Sequence, residues 1–231
     1  MNYNVLDSIC RLQFWRYATA DRSAFRANIY QFLGLTEQVK RNQITLVNAS
    51  QSNQVFMEKQ PLNLKDYIRD VPDFPVPGIL FRDITPLLND PIAFRTTIDM
   101  FAERYADLQI DTIVGIESRG FMFAAPLSYK LGVPFVPVRK QGKLPYDTHT
   151  VSYELEYGSD AVEVHVDAIK TGSRILIVDD LLATGGTMAA SVKLIEQAGG
   201  EVVGLAIVVE LTDLDGRQTL GDYDIQTLVT Y

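Results

Sequence analysis

The chain has 231 residues, of which 47% are hydrophobic and 22% charged, enough to bury a large core in one or two domains. A net charge of −8 argues against a general nucleic-acid surface, so an anionic substrate must find its cations locally. The single cysteine, Cys10, excludes an internal disulfide framework and fits a reducing, cytoplasmic setting, and apolar runs of about eight residues fall well short of the roughly 20 that span a bilayer.

Residues 1–56 stand apart. They carry net charge +3 against −11 for the remainder, and they are rich in Asn, Gln, Ser and Arg. Apart from an amphipathic stretch at Ser23–Leu33 and an aromatic cluster at Phe14, Trp15 and Tyr17, no periodic core pattern is evident. Met57-Glu58-Lys59 reads as an ordinary protein start. Three readings fit the segment: a start placed too early, a disordered or partly helical appendage, or a targeting or docking piece. The expected division is therefore an N-terminal extension, 1–56, and a second domain, 57–231.

From residue 57 onward, strands alternate with helices. Leu64–Val71 reads as a short helix, and Asn89-Asp90-Pro91 starts a longer one running to about Leu108, with proline at its first helical position. Thr112–Ile116 and Pro134–Val138 read as strands around a helix at Gly120–Lys130. Between them, Ser118-Arg119-Gly120 sits at a strand-to-helix turn, where amides and a guanidinium meet. Arg139, Lys140 and Lys143 form a second basic cluster, of which Arg139 and Lys143 are the expected ligand contacts.

The polar loop Gln141–Val151 is long enough to serve as a lid. Tyr153–Tyr157 and Val162–Val166 then read as a hairpin around Gly158-Ser159, with Glu154 and Glu156 on one face and Tyr153 and Tyr157 on the other. His149 and His165 lack the partners of a zinc site and read as incidental.

Arg174–Val178 lacks alternation and predicts a parallel strand buried on both faces. Asp179 and Asp180 follow at its carboxyl end, where open parallel sheets bind ligands. The loop Ala183-Thr184-Gly185-Gly186-Thr187 then runs into a helix, Gly186–Ala198, stopped by Gly199-Gly200. Gly185 and Gly186 are expected at positive φ, with main-chain amides converging on an anion and Thr184 and Thr187 adding hydroxyls. No Walker A lysine accompanies the loop, and two carboxylates beside it would repel a polyphosphate. These features point to a sugar monophosphate, with Asp179 and Asp180 accepting from its hydroxyls or holding a metal-bound sugar. Glu201–Val209 is expected to close a doubly wound parallel sheet.

V-D-D-L-L-A-T-G-G-T (Val178–Thr187) resembles the phosphoribosyl-diphosphate (PRPP) motif of the type I phosphoribosyltransferases. Five further segments resemble the adenine phosphoribosyltransferases in order: Asp73–Leu88, Gly115–Phe121, Val138–Pro145, Tyr153–Gly158 and Val209–Arg217. The similarity covers roughly residues 60–231. It implies the type I phosphoribosyltransferase fold, a mainly parallel sheet flanked by helices, with a small base-binding hood. It further implies transfer of phosphoribose from PRPP to adenine, giving AMP and diphosphate, with Mg²⁺ carried by PRPP rather than by protein ligands, in a homodimer.

By that resemblance, Ala183–Thr187 and Ser118 bind phosphate, and Arg119, Arg139 and Lys143 stabilise the diphosphate. Leu80, Phe81, Arg82 and Leu211 hold the adenine. Main chain at Leu80 and Arg82 reads its edge, Phe81 stacks, and Leu211 closes the other side. Glu156 is the proposed general acid, and Tyr157 packs nearby in the lid. Two other readings compete: a phosphoribosyltransferase for another purine, and a DNA-binding regulator retaining the PRPP pocket, which would need a basic winged helix absent from the sequence pattern.

Overall fold

The first described element is a single 3-10 turn. In the computed structural model, which describes residues 62–154 and 159–231, Leu64–Tyr67 winds one such turn, with the Asn63 side chain accepting from Lys65 N–H. The helix expected over Leu64–Val71 stops there, because β1 (Arg69–Pro72) pairs antiparallel with β2 (Leu80–Asp83), Val71 facing Phe81. Non-local strand pairing overrides the local helical pattern. These two strands form a small sheet of their own, the hood. A short helix that the sequence pattern did not suggest, α1 (Thr85–Asn89), follows directly.

Helix α2 (Pro91–Arg104) begins as expected, its Asp90 carboxylate accepting from the N–H groups of Ile92 and Ala93. It ends four residues before Leu108. Tyr105 is buried instead, and its hydroxyl donates to the Leu205 carbonyl at 3.0 Å. Then come β3 (Thr112–Ile116), α3 (Phe121–Leu131), β4 (Phe135–Lys140), β5 (Thr148–Glu154) and β6 (Ser159–His165). After them, β7 (Arg174–Leu182), α4 (Gly186–Gln197), β8 (Glu201–Glu210), α5 (Gly216–Leu220) and β9 (Ile225–Thr230) complete the described order.

The main sheet has the order β5-β6-β4-β3-β7-β8-β9. Neighbours from β4 through β9 are parallel, while β6 runs antiparallel to both β4 and β5. The mainly parallel architecture agrees with the sequence reading, with three corrections. The hairpin's first strand starts at Thr148, so the second half of the expected lid is paired strand. Strand β7 continues through both aspartates to Leu182, because Leu181 and Leu182 pair with Val209 and Glu210. And β9, not β8, is the outer strand; its half-exposed residues lack the apolar run that marks a central strand.

Two cores lie on the two faces of this sheet. Leu176 and Val178 of β7 pack with Phe123, Leu127 and Phe101 from α3 and α2. Ile175 and Ile177 pack on the other side with Leu194 and Ile195 of α4. A strand alternates its side chains between faces, so an uninterrupted apolar run is what burial from both sides requires. Each such side chain contributes about 1.5–3 kcal/mol when fully buried.

Candidate active site

Strand β3 has β4 on one side and β7 on the other, so the chain order reverses between β3 and β7. Crevices open at such reversals, beyond the carboxyl ends of the strands. A cleft of about 460 Å³ occupies this place, lined by Ile116–Arg119 after β3, by Asp179–Met188 around the end of β7, and by Lys140, Tyr153 and Asp160.

The Thr/Gly loop forms its floor. Gly185 adopts φ +85° and precedes the first residue of α4, with no side chain capping that helix. Gly186 is the first helical residue and is not at positive φ, which corrects the expectation for two left-handed glycines. Among the described residues, the amides of Thr184 to Thr187 donate to no protein acceptor, as is usual in the first turn of a helix, and such amides suit an anion. The Thr184 side chain is exposed, whereas the Thr187 hydroxyl donates to the Tyr153 hydroxyl at 3.2 Å.

Helix α5 braces the loop from behind. A Cβ on Gly216 would lie 2.2 Å from the Ala183 carbonyl, and one on Gly185 would lie 2.6 Å from the Gly216 carbonyl. Only two glycines allow this approach. The Thr219 hydroxyl donates to the Thr184 carbonyl at 2.8 Å. Arg217 holds α5 against the sheet through a two-pronged pair with Glu210, at 2.6 and 2.8 Å. Sequence reasoning used this segment only for Leu211. Its spaced glycine and arginine were the available signal for the brace.

Asp179 is half-buried and Asp180 is 4% exposed, both within β7 rather than after it. Asp179 Oδ1 accepts from the Asp180 N–H at 2.9 Å. Burial, reinforced by the charge of Asp180, pushes Asp179 well above the usual carboxylate range. Burial also raises Asp180, with Arg119 opposing. Arg119 Nε lies 2.9 Å from Asp180 Oδ2 without the alignment of a hydrogen bond, so that buried oxygen has no donor.

The turn after β3 packs directly on these carboxylates. A Cβ on Gly120 would meet the Ile116 and Val178 carbonyls at 2.7 Å and Asp179 Oδ1 at 2.9 Å. Ser118 and Arg119 thereby reach the cleft. The second basic cluster divides. Arg139 is paired with Glu117 at 3.0 and 3.2 Å and donates to the Lys143 carbonyl, and neither Arg139 nor Lys143 lines the cleft. Lys140 does line it. Successive residues of a strand face opposite sides, so Arg139 and Lys140 cannot both point in, and sequence alone does not say which.

Lys140 Nζ sits 2.8 Å from Asp160 Oδ2, which also accepts from the Tyr153 hydroxyl at 3.3 Å. Lys140 holds the Asp160 carboxyl below its ordinary value, and Asp160 raises Lys140 in turn. The Arg139 hydrogen bonds likewise depress Glu117. Tyr153, Asp160 and Glu117 went unassigned in the sequence reading. Glu156 and Tyr157 lie outside the described residues.

In the hood, Phe81 is half-buried with the Phe74 ring edge-on at 5.1 Å, and Leu80 is exposed. The Arg119 guanidinium stands 5.4 Å from the Phe81 ring centre, which joins the hood to the cleft. Leu211 follows β8, is half-buried, and donates its N–H to the Leu182 carbonyl beside the Ala183–Thr187 loop. Arg82 contributes its main chain to the same hood strand, with its side chain paired to Asp70.

Residues 83–228 match the phosphoribosyl transferase domain family. The adenine phosphoribosyltransferase of Carboxydothermus hydrogenoformans is 56% identical over 170 residues, covering 74% of this chain and all of that protein. The structure of the enzyme so named from Thermoanaerobacter pseudethanolicus aligns with a TM-score of 0.71 at 54% identity, covering 73% of this chain and 98% of the other. A Trypanosoma brucei structure, of an adenine phosphoribosyl transferase in complex with AMP, pyrophosphate and ribose-5-phosphate, aligns with a TM-score of 0.68 at 29% identity, covering 72% of this chain and 77% of the other.

Proposed function

Since the chain belongs to the adenine phosphoribosyltransferases of the phosphoribosyl transferase domain family, we propose that its cleft converts adenine and PRPP to AMP and diphosphate, a purine-salvage reaction. The observation that carries this reading is the joining of the uncapped Ala183–Thr187 loop with Asp179 and Asp180 in one crevice. The amides take the 5′-phosphate, and the carboxylates accept from the ribose hydroxyls. Asp180 Oδ2 is buried and faces Arg119 at 2.9 Å without an aligned hydrogen bond, which leaves it able to accept from a sugar hydroxyl.

The base nitrogen attacks the anomeric carbon as its bond to the diphosphate oxygen breaks. Positive charge developing on the sugar is stabilised by the adjacent carboxylates, and the departing diphosphate by Arg119, with Lys140 as the second cation facing the cleft. Burial raises the pKa values of Asp179 and Asp180, and cationic charge developing on the sugar lowers them again, favouring the anionic acceptors. By resemblance Glu156 lends a proton to another nitrogen of the adenine ring and recovers it as AMP forms, while the attacking nitrogen gives up its own proton to water, and Tyr157 covers the ring.

Among the described residues, no group of three or more His, Cys, Asp or Glu could hold a metal. Mg²⁺ bound to the diphosphate would neutralise part of the leaving group's charge. It would be carried by PRPP, with Glu117, Asp160, Asp179 and Asp180 as the carboxylates lining the cleft around it.

Phe81 and Leu211 sandwich the base, and the main chain at Leu80 and Arg82 accepts from its exocyclic amine. A purine with an oxo group there would leave buried polar atoms mismatched, at several kcal/mol. Arg139 and Lys143, which do not line their own cleft, serve the neighbouring subunit of a homodimer. All the segments that resemble the family lie after Met57, and no catalytic role is assigned to residues 1–56. The lone cysteine supports a reducing cytoplasm, and no described helix is long and apolar enough to cross a membrane.

The deciding test measures AMP formation with adenine, hypoxanthine or guanine, each with PRPP and magnesium. Adenine should be preferred by two orders of magnitude or more, on the order of what a mismatched buried edge costs. Equal rates for hypoxanthine would overturn the base assignment. Calorimetry that finds no PRPP binding would overturn the cleft assignment.

A further inference from the structure

The hood shares no strand pairing with the main sheet, so its position over the cleft depends on side-chain contacts. One residue gathers several of them. The main chain of Tyr231 is stitched to the main sheet: its N–H donates to the Glu210 carbonyl at 2.9 Å, and its carbonyl accepts from Thr212 N–H at 2.9 Å and Thr212 Oγ1 at 2.6 Å. Its ring meets two cations of the hood region. The Arg82 guanidinium lies 3.6 Å from the ring centre, and Lys65 Nζ lies 4.1 Å from it. Lys65 Nζ also donates to the Thr230 carbonyl at 3.0 Å.

Arg82 depends on that ring. Its side chain is only 14% exposed, its ion pair is with Asp70 of β1, and its Nε is buried with no acceptor. The aromatic face is therefore a principal remaining partner for a largely desolvated guanidinium, the setting in which cation–π attraction is strongest. Held this way, the Arg82 side chain pins the main chain of β2 to the corner where Leu211 leaves β8.

We propose that Tyr231 is a positioning residue for base recognition: by stacking on Arg82 it sets the height of Leu80–Arg82 over the cleft, and so the fit of the purine between Phe81 and Leu211. This rests on the reading of Leu80–Arg82 as the adenine platform. A strut of this kind acts on the base and leaves the phosphate loop alone, because that loop is braced separately by α5.

The test uses the full chain and steady-state kinetics with each substrate varied in turn. Tyr231→Leu keeps apolar volume and removes the aromatic face. It should raise the KM for adenine about tenfold, near what a desolvated cation–π contact is worth, move the KM for PRPP less than about twofold, and weaken the preference for adenine over hypoxanthine. Tyr231→Phe keeps the ring and should behave as wild type. Arg82→Lys keeps the charge without the planar stack, should repeat the adenine-side defect, and decides the matter should Tyr231→Leu not fold. Equal rises in both KM values would overturn the proposal, as would an unchanged adenine KM in Tyr231→Leu or Arg82→Lys. Phe81→Ala separates the two layers: if it raises the adenine KM while the Tyr231 and Arg82 variants do not, the platform stands and the strut falls; if it does not, the platform itself falls.

Discussion

Replacing Gly216 with alanine tests whether the phosphate loop is held by its brace as closely as the packing implies. The added Cβ would sit 2.2 Å from the Ala183 carbonyl and 2.9 Å from Leu182 Cγ, against an ordinary contact that begins at 3.4 Å. Either the loop or α5 must retreat by about 1.2 Å. The strain of overpacking should cost about 1–3 kcal/mol. For a domain of this size, that lowers the thermal midpoint by roughly 2–4 °C per kcal/mol. The functional cost is larger, because a displacement of about 1 Å in a positioning element can lose on the order of 100-fold in rate. In an assay of AMP formation at saturating adenine, kcat/KM for PRPP should fall by about that factor, with the adenine KM moving far less. Gly172→Ala is the control. Its site has φ +78° and nothing within 4 Å, so it should lose stability by about 1–2 kcal/mol without losing turnover. If folded Gly216→Ala keeps kcat/KM for PRPP within threefold of wild type, the loop is not held by this contact.

The raised aspartates give a prediction of opposite sign for stability and activity. A carboxyl whose folded-state pKa lies above its unfolded value favours folding fully below the unfolded value, and this contribution is lost as pH rises through the folded one. Asp179→Asn should therefore raise the thermal midpoint of the ligand-free protein at pH 7 and show little gain in acid, while turnover falls at least 100-fold; a lower midpoint at pH 7 would contradict the burial argument, and unchanged turnover in the Asp179→Asn, Asp180→Asn double variant would remove their role. Asp160 has the reverse sign, since Lys140 depresses it and its stabilisation is lost as pH falls through its folded value. Asp160→Asn frees Lys140 and Tyr153 from their shared partner, and the KM for PRPP should rise roughly three- to tenfold, as for one ordinary hydrogen bond; Lys140→Gln should do the same, and a wild-type KM in both would exclude this cluster from the site. Mixing inactive Lys143→Ala and Asp179→Asn proteins should restore part of the activity through mixed dimers, and no recovery after verified subunit exchange would place Lys143 outside the partner's site.

Much of this protein is written in local pattern. The run from Ile175 to Val178 announces burial from both sides, and Asp90-Pro91 marks the start of a helix. Gly185 before an apolar-periodic stretch marks a turn into another helix, and the two aspartates stand at the carboxyl end of a central strand. These features depend on propensity, capping and periodicity within a few residues, so composition and spacing suffice to read them. Tertiary structure decided the rest, because it depends on partners far away in the chain. Val71 is strand because Phe81 lies opposite, and β7 extends past its aspartates because Val209 and Glu210 pair with its end. Lys140 rather than Arg139 enters the cleft because of which way β4 faces and because Glu117 captures the arginine. Gly216 must be glycine for the sake of a carbonyl 33 positions earlier. Pairing, facing and close approach are properties of two segments together, and no single stretch of sequence carries them.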